Sequence, residues 1–147
     1  MQRIKVFLAM LLAFGTTLPG PAWGAQKLPM DEPVRVNNVD IVCTGESLDM
    51  RGDPRWNDYA LKIEFAGPGG QYVGGETANI AQNGKDLLNV TCAGPWLLFQ
   101  LPPGRYDVTA KLGEQEARSA AFVSKHGQGH IILRFLDQVT GLPPPKP

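Results

Sequence analysis

An all-β sandwich of roughly seven to eight antiparallel strands is the fold this sequence predicts. Three observations carry that prediction. Apolar residues recur at every second position, as where Tyr59, Leu61, Ile63 and Phe65 alternate with Lys62 and Glu64. Turn residues punctuate the chain about every ten positions, at Gly67-Pro68-Gly69-Gly70, Asn83-Gly84, Gly94-Pro95, Pro102-Pro103-Gly104 and Gly113-Glu114. Beyond residue 24 no segment sustains the 3.6-residue apolar period of a long helix, and no internal repeat is present.

The elements follow in order. Residues 25–33 are polar and marked by proline, and read as a loose N-terminal arm. Val34 and Val36 alternate, then Val39, Ile41 and Cys43 do so one position out of phase. This predicts one strand bent or bulged at Asn37-Asn38. Residues 44–58 (TGESLDMRGDPRWND) show no period of two and form a long connection, with a helical turn that points Leu48 inward. Residues 59–65 are a half-buried strand. Residues 71–80, interrupted by Gly74-Gly75, predict an irregular or edge strand. Asn83-Gly84 marks a two-residue hairpin leading into a strand over 87–92. Strands over 96–101, 106–112, 115–123 and 131–135 complete the domain, which spans 34–136. Residues 137–147, ending in Pro143-Pro144-Pro145-Lys146-Pro147, form a tail that cannot join a sheet.

The N-terminus has the three-part layout of a secretory signal peptide. Arg3 and Lys5 form a basic start, residues 6–15 an apolar run too short to span a bilayer, and Ala22 and Gly24 the small residues before a cut after Gly24. Removing 24 of 147 residues leaves 123, enough for one domain with a real core. It also removes two of 14 basic residues against 14 acidic ones, so the exported chain carries a net charge of −2. Such a balance does not favour nucleic acid or an anionic membrane surface. No later segment is apolar enough to form a transmembrane helix. The expected location is the periplasm or the exterior of the cell.

Both cysteines, Cys43 and Cys92, lie in the exported part, where an oxidising compartment favours their pairing. The alternative is two buried free thiols. The spacing is not the CxxC of redox motifs. Neither these residues nor His126 and His130 bring enough neighbouring ligands for a metal, and no cofactor motif is present. The acids Glu46, Asp49, Asp53 and Asp58 sit on the long connection, without the fixed spacing a glycosidase needs. No serine lies in a nucleophile elbow. A non-enzymatic role is therefore expected. Arg51-Gly52-Asp53 and the sequon Asn89-Val90-Thr91 are short enough to recur by chance.

The strand over 96–101 poses a sharper question. Leu97, Phe99 and Leu101 share one face, and Trp96 and Leu98 take the other, so both faces are apolar. Either the 44–58 connection, with Leu48 and Trp56, folds over Trp96 and Leu98, or Trp56, Tyr72, Trp96 and Leu98 frame a binding surface for a protein or glycan partner.

Just beyond lies Leu101-Pro102-Pro103-Gly104-Arg105-Tyr106. Pro103 and Gly104 fit the central positions of a type II turn, and Tyr106 suits an inward ring whose hydroxyl bonds a nearby backbone group. With Val108-Thr109-Ala110, this stretch resembles the "LPPGxYxVxA" corner of carboxypeptidase regulatory-like domains, which are transthyretin-like (prealbumin-like) sandwiches. Cys43-Thr44-Gly45, Tyr59-Ala60-Leu61-Lys62 and Gly94-Pro95-Trp96-Leu97-Leu98 add a similarity to small exported bacterial proteins bearing that domain. The resemblance covers residues 34–136. It implies an extracytoplasmic sandwich that acts as a stabilising, adhesive or binding module and has no catalytic residues. Asn83-Gly84-Lys85-Asp86 departs from the usual aspartate-glycine turn, which leaves strand pairing there less secure.

Overall fold

The computed structural model describes residues 24–136. The segment expected to be a signal peptide, through residue 23, and the proline-rich tail lie outside the described residues. In chain order the elements are β1 (Gln26–Lys27), β2 (Val34–Val36), β3 (Val39–Thr44), α1 (Leu48–Arg51), a 3-10 turn (Pro54–Asp58), β4 (Leu61–Ala66), β5 (Glu76–Gln82), β6 (Lys85–Cys92), β7 (Trp96–Phe99), β8 (Gly104–Leu112), β9 (Gln115–Val123) and β10 (Gly129–Arg134). They form two five-stranded sheets, ordered β1-β6-β5-β8-β9 and β10-β4-β7-β3-β2. The sheets pack as the predicted sandwich.

Alternation explains the core. Ile41, Cys43, Leu61, Ile63, Phe65, Leu97 and Phe99 project from one sheet and Ala78, Ile80, Leu88, Val90, Cys92, Tyr106 and Val108 from the other, all into a single apolar cluster. The Cys43–Cys92 disulfide joins β3 of one sheet to β6 of the other, with Cα atoms 5.6 Å apart. It lies wholly inside this core.

Five expectations need correction. The first concerns Asn37-Asn38, which is a hairpin turn and not a bulge. Val36 pairs with Val39, and both asparagines take left-handed φ (48° and 64°), the backbone of a two-residue turn between twisted strands. The phase slip in the sequence is this reversal. The second concerns the arm, which is docked. Gln26 and Lys27 run parallel to Val90 and Thr91, and Leu28 is buried behind them. One leucine among polar residues is a weak signal in sequence, yet it supplies apolar burial on a ready sheet edge.

The third correction concerns residues 71–80. Only the part through Gly75 is irregular. β5 pairs with β6 on one side and β8 on the other, so it is the middle strand of its sheet. Its pairing with β6 through Asn83-Gly84 holds along its length, with one register shift between Ile80 and Ala81. Gly74 runs so close to the chain beyond β6 that a Cβ there would stand 2.0 Å from the Ala93 carbonyl oxygen. The fourth concerns the Pro103-Gly104 corner, which is not a type II turn. Gly104 has φ 157° and already pairs with Val123 as the first residue of β8. Pro102 and Pro103 lack backbone donors and keep the chain out of the sheet between the end of β7 at Phe99 and the start of β8 at Gly104. The fifth is Leu48, which points outward and is 80% exposed.

Tyr106 behaves as expected. Its ring is buried and its hydroxyl donates to the Pro102 carbonyl oxygen at 2.6 Å. Tyr106→Phe keeps the ring and orphans that carbonyl. The expected cost is about 1 kcal/mol, read as a lower urea midpoint with an unchanged slope. No change in midpoint would mean the bond does not hold the corner.

Candidate functional site

The outward face of the β10-β4-β7-β3-β2 sheet collects the residues that the alternation leaves unexplained. Strand register builds two rows across it. Val42, Leu98, Lys62 and His130 form one, and Thr44, Trp96, Glu64 and Ile132 the other. The first row is apolar at the β3 end and carries Lys62 and His130 toward the β10 end.

The long connection covers the apolar end. Ser47 caps α1 by accepting from the Met50 N–H, and Asp53 caps the 3-10 turn by accepting from the Arg55 N–H. These two caps turn the chain back over the sheet. Trp56 is thereby seated on Val42 and Leu98, with Met50 and Tyr59 around it, and its indole N–H donates to the Met50 carbonyl at 2.7 Å. Gln128 fastens the connection from the β9–β10 loop, donating to the Trp56 and Tyr59 carbonyls at 2.7 and 3.0 Å. So Trp56 and Leu98 belong to a small second core.

Trp96 lies outside the Trp56 cluster, yet it is only 6% exposed. The Lys62 ammonium sits 3.3 Å from its ring centroid. Gly45 presses so close that a Cβ there would come within 2.6 Å of the ring. Tyr72 meets it edge to face at 6.1 Å. Of the four residues singled out as a surface, Tyr72 alone is exposed, at 42%, and the Arg51 guanidinium lies 4.6 Å over its ring. Trp96 and Tyr72 are neighbours, as are Trp56 and Leu98, but the four do not make one open aromatic platform.

Sequence reading missed the centre of this site, Glu64. It is nearly buried and accepts from the Tyr72 hydroxyl at 2.9 Å through one oxygen. The other oxygen meets His130 Nε2 at 2.5 Å, and the Lys62 ammonium lies 3.4 Å from the carboxylate. Burial pushes the Glu64 carboxyl up. The hydrogen bonds from Tyr72 and His130, with the charge of Lys62, outweigh this and leave it below its ordinary value of 4.5. Burial, reinforced by Glu64, pushes the Tyr72 phenol up, so it stays a neutral donor. Alternation placed Glu64 on the solvent side of β4. What it did not reveal is that residues 72 and 130, eight and 66 positions away, close over it.

A lowered carboxyl has a definite consequence. Folding holds Glu64 ionised, so its contribution is present above pH 4.5 and is lost as pH falls through the lowered folded value. Glu64→Gln should flatten the acid limb of a stability–pH curve measured by urea unfolding. An acid limb identical to that of the parent protein would rule this out.

His126 and His130 do not come together as a metal pair, since His130 is turned to Glu64. Among the described residues no cluster of three or more His, Cys, Asp or Glu side chains stands ready to hold a metal. Nor is any helix there long and apolar enough to cross a membrane. Fold and site together define a disulfide-linked β-sandwich with a charged aromatic cluster on one outer face. Comparison with protein-family models and with curated proteins returns no match for this chain.

Proposed function

We propose that the protein is an exported, non-enzymatic sandwich module of the carboxypeptidase regulatory-like (transthyretin-like) kind, which binds a protein partner or lends structural support in the periplasm or outside the cell. The observation that carries this reading is the exposed Tyr72–Arg51 stack, standing on a rigid base of Trp96, Lys62, Glu64 and His130. Tyrosine and arginine are the side chains that most often anchor protein interfaces. Here their positions are held before any partner arrives, which lowers the entropy cost of binding. The Glu64 oxygens are engaged by their own neighbours, which suits a positioning role better than proton transfer to a substrate. The buried disulfide suits an oxidising compartment.

A carbohydrate-binding module would need exposed rings to stack on sugars. Tyr72 is the single one in this cluster, and its face is already taken by Arg51. A photo-crosslinking residue at position 72, introduced in the native envelope and followed by mass spectrometry, tests the partner reading. One discrete adduct is expected, reduced by Arg51→Ala. Recovery of free monomer alone overturns it. Soluble glycans should leave tryptophan fluorescence unchanged; a saturable quench would transfer the site to the glycan reading.

A further inference from the structure

Beside the disulfide stands a third sulfur. Met30, half-buried on the docked arm, places its Sδ 3.3 Å from Cys43 Sγ. The arm is clipped there twice. Asp31 N–H donates to the Cys43 carbonyl at 2.7 Å, and the Thr44 hydroxyl donates to the Asp31 carboxylate at 2.6 Å. The Cys92 sulfur in turn lies 3.1 Å from the Gly94 carbonyl oxygen and 3.6 Å from that of Trp96. A disulfide sulfur has no proton to donate. These are therefore contacts of sulfur without a proton, and Met30 is the third soft donor atom at this place.

We propose that, once Cys43–Cys92 is reduced, its two sulfurs and the Met30 thioether form a three-sulfur site for Cu(I). Thiolate and thioether are soft donors and select a soft monovalent ion over Mg, Ca or Mn. The cysteines are fully buried in apolar surroundings, and Met30 is half-buried against the same core. Glu76 stands beside the site. It pairs directly with Cys92 across β5 and β6, both side chains pointing inward, so their Cβ atoms lie about 5 Å apart. It is 0% exposed, and neither carboxyl oxygen has a hydrogen-bond partner among the described residues. The chemistry balances with a dithiol reductant. Its thiolate attacks one protein sulfur and the S–S bond breaks. Its second thiol resolves the mixed disulfide, and it leaves as its own disulfide while two protein thiols remain. Cu(I) then binds without change of oxidation state, and the two thiol protons pass to solvent.

The test uses the full exported chain without oxygen at pH 6, reduced with a dithiol and freed of it by gel filtration. Cu(I) is titrated in competition with bicinchoninate. One Cu(I) per chain is expected after reduction and none before it. Met30→Leu should weaken binding at least about tenfold while keeping the oxidised fold. X-ray absorption should count three sulfurs in the parent protein and two in Met30→Leu. The sulfur count of the parent protein decides the matter even if the variant folds poorly. Two sulfurs in the parent protein, an undiminished affinity in Met30→Leu, or a reduced chain that has lost its near-ultraviolet circular dichroism overturns the site.

Discussion

The stability of this protein should fall as pH rises from 4.5 to about 8, and Glu76→Gln should abolish that fall. Glu76 is the one fully buried carboxyl among the described residues, and both of its oxygens lack a partner. Burial drives its pKa from 4.5 up to about 8, with little from hydrogen bonding to oppose it. Over that window the folded chain keeps the proton and the unfolded chain does not. Folding therefore takes up a proton, and each unit of pH removes up to about 1.4 kcal/mol. The total loss approaches about 5 kcal/mol, a large share of the 5–15 kcal/mol typical of a domain. Glutamine has nearly the same shape and no charge to expel. Urea unfolding at a series of pH values is the measurement. A parent curve that is flat from pH 5 to 8, or a Glu76→Gln curve with the same slope, would show that the carboxyl is solvated or paired. Glu64 acts in the opposite sense and on the acid side, so the two contributions separate along the pH axis.

Loss of the disulfide should come next in size. Cys43 and Cys92 are 49 positions apart, and closing a loop of that length restricts the unfolded chain by an amount worth about 4 kcal/mol. The paired change Cys43→Ala with Cys92→Ala should lower the melting temperature by roughly 12–20 °C. Within the folded state the cost is small, because each alanine removes one sulfur from a core that keeps its apolar lining. The loss should therefore appear in both heat and urea unfolding. A shift of only one or two degrees would mean that the two sheets are held by packing alone.

Much of the architecture was legible because β structure writes its burial in a period of two. Leu61, Ile63 and Phe65 declared an inner face without any knowledge of the opposing sheet, and Asn83-Gly84 and Gly113 declared their hairpins through left-handed backbone. Tyr106 was legible as well, since a buried phenol must bond something close by and the Pro102 carbonyl is four residues away. Less legible were features whose cause lies across the fold. Asn37-Asn38 looked like a bend because two short alternations in antiphase read the same whether the chain bulges or reverses. Leu28 looked solvated because its partner surface is the edge of β6. Leu48 looked buried because it was the sole leucine of its turn, yet Trp56 took the place over Leu98 and left Leu48 outside.

The same division runs through the candidate site. From the residues alone, Trp96 and Leu98 either lay under the 44–58 connection or belonged to an open binding surface. The connection was long enough for the first alternative. That it covers Leu98 with Trp56, while Lys62, Gly45 and Tyr72 enclose Trp96, was decided by register between strands far apart in sequence. Glu64 and Glu76 make the point most directly. Both are glutamates within β-strands, one on the outer face and one on the inner. Local pattern assigns neither a charge state. Tertiary packing surrounds the first with donors and the second with apolar walls, and so pushes one carboxyl down and the other up. Alternation and turn chemistry determine which face a residue takes, because they act over a few bonds. Desolvation and pairing determine what that residue does there, and they act only through space.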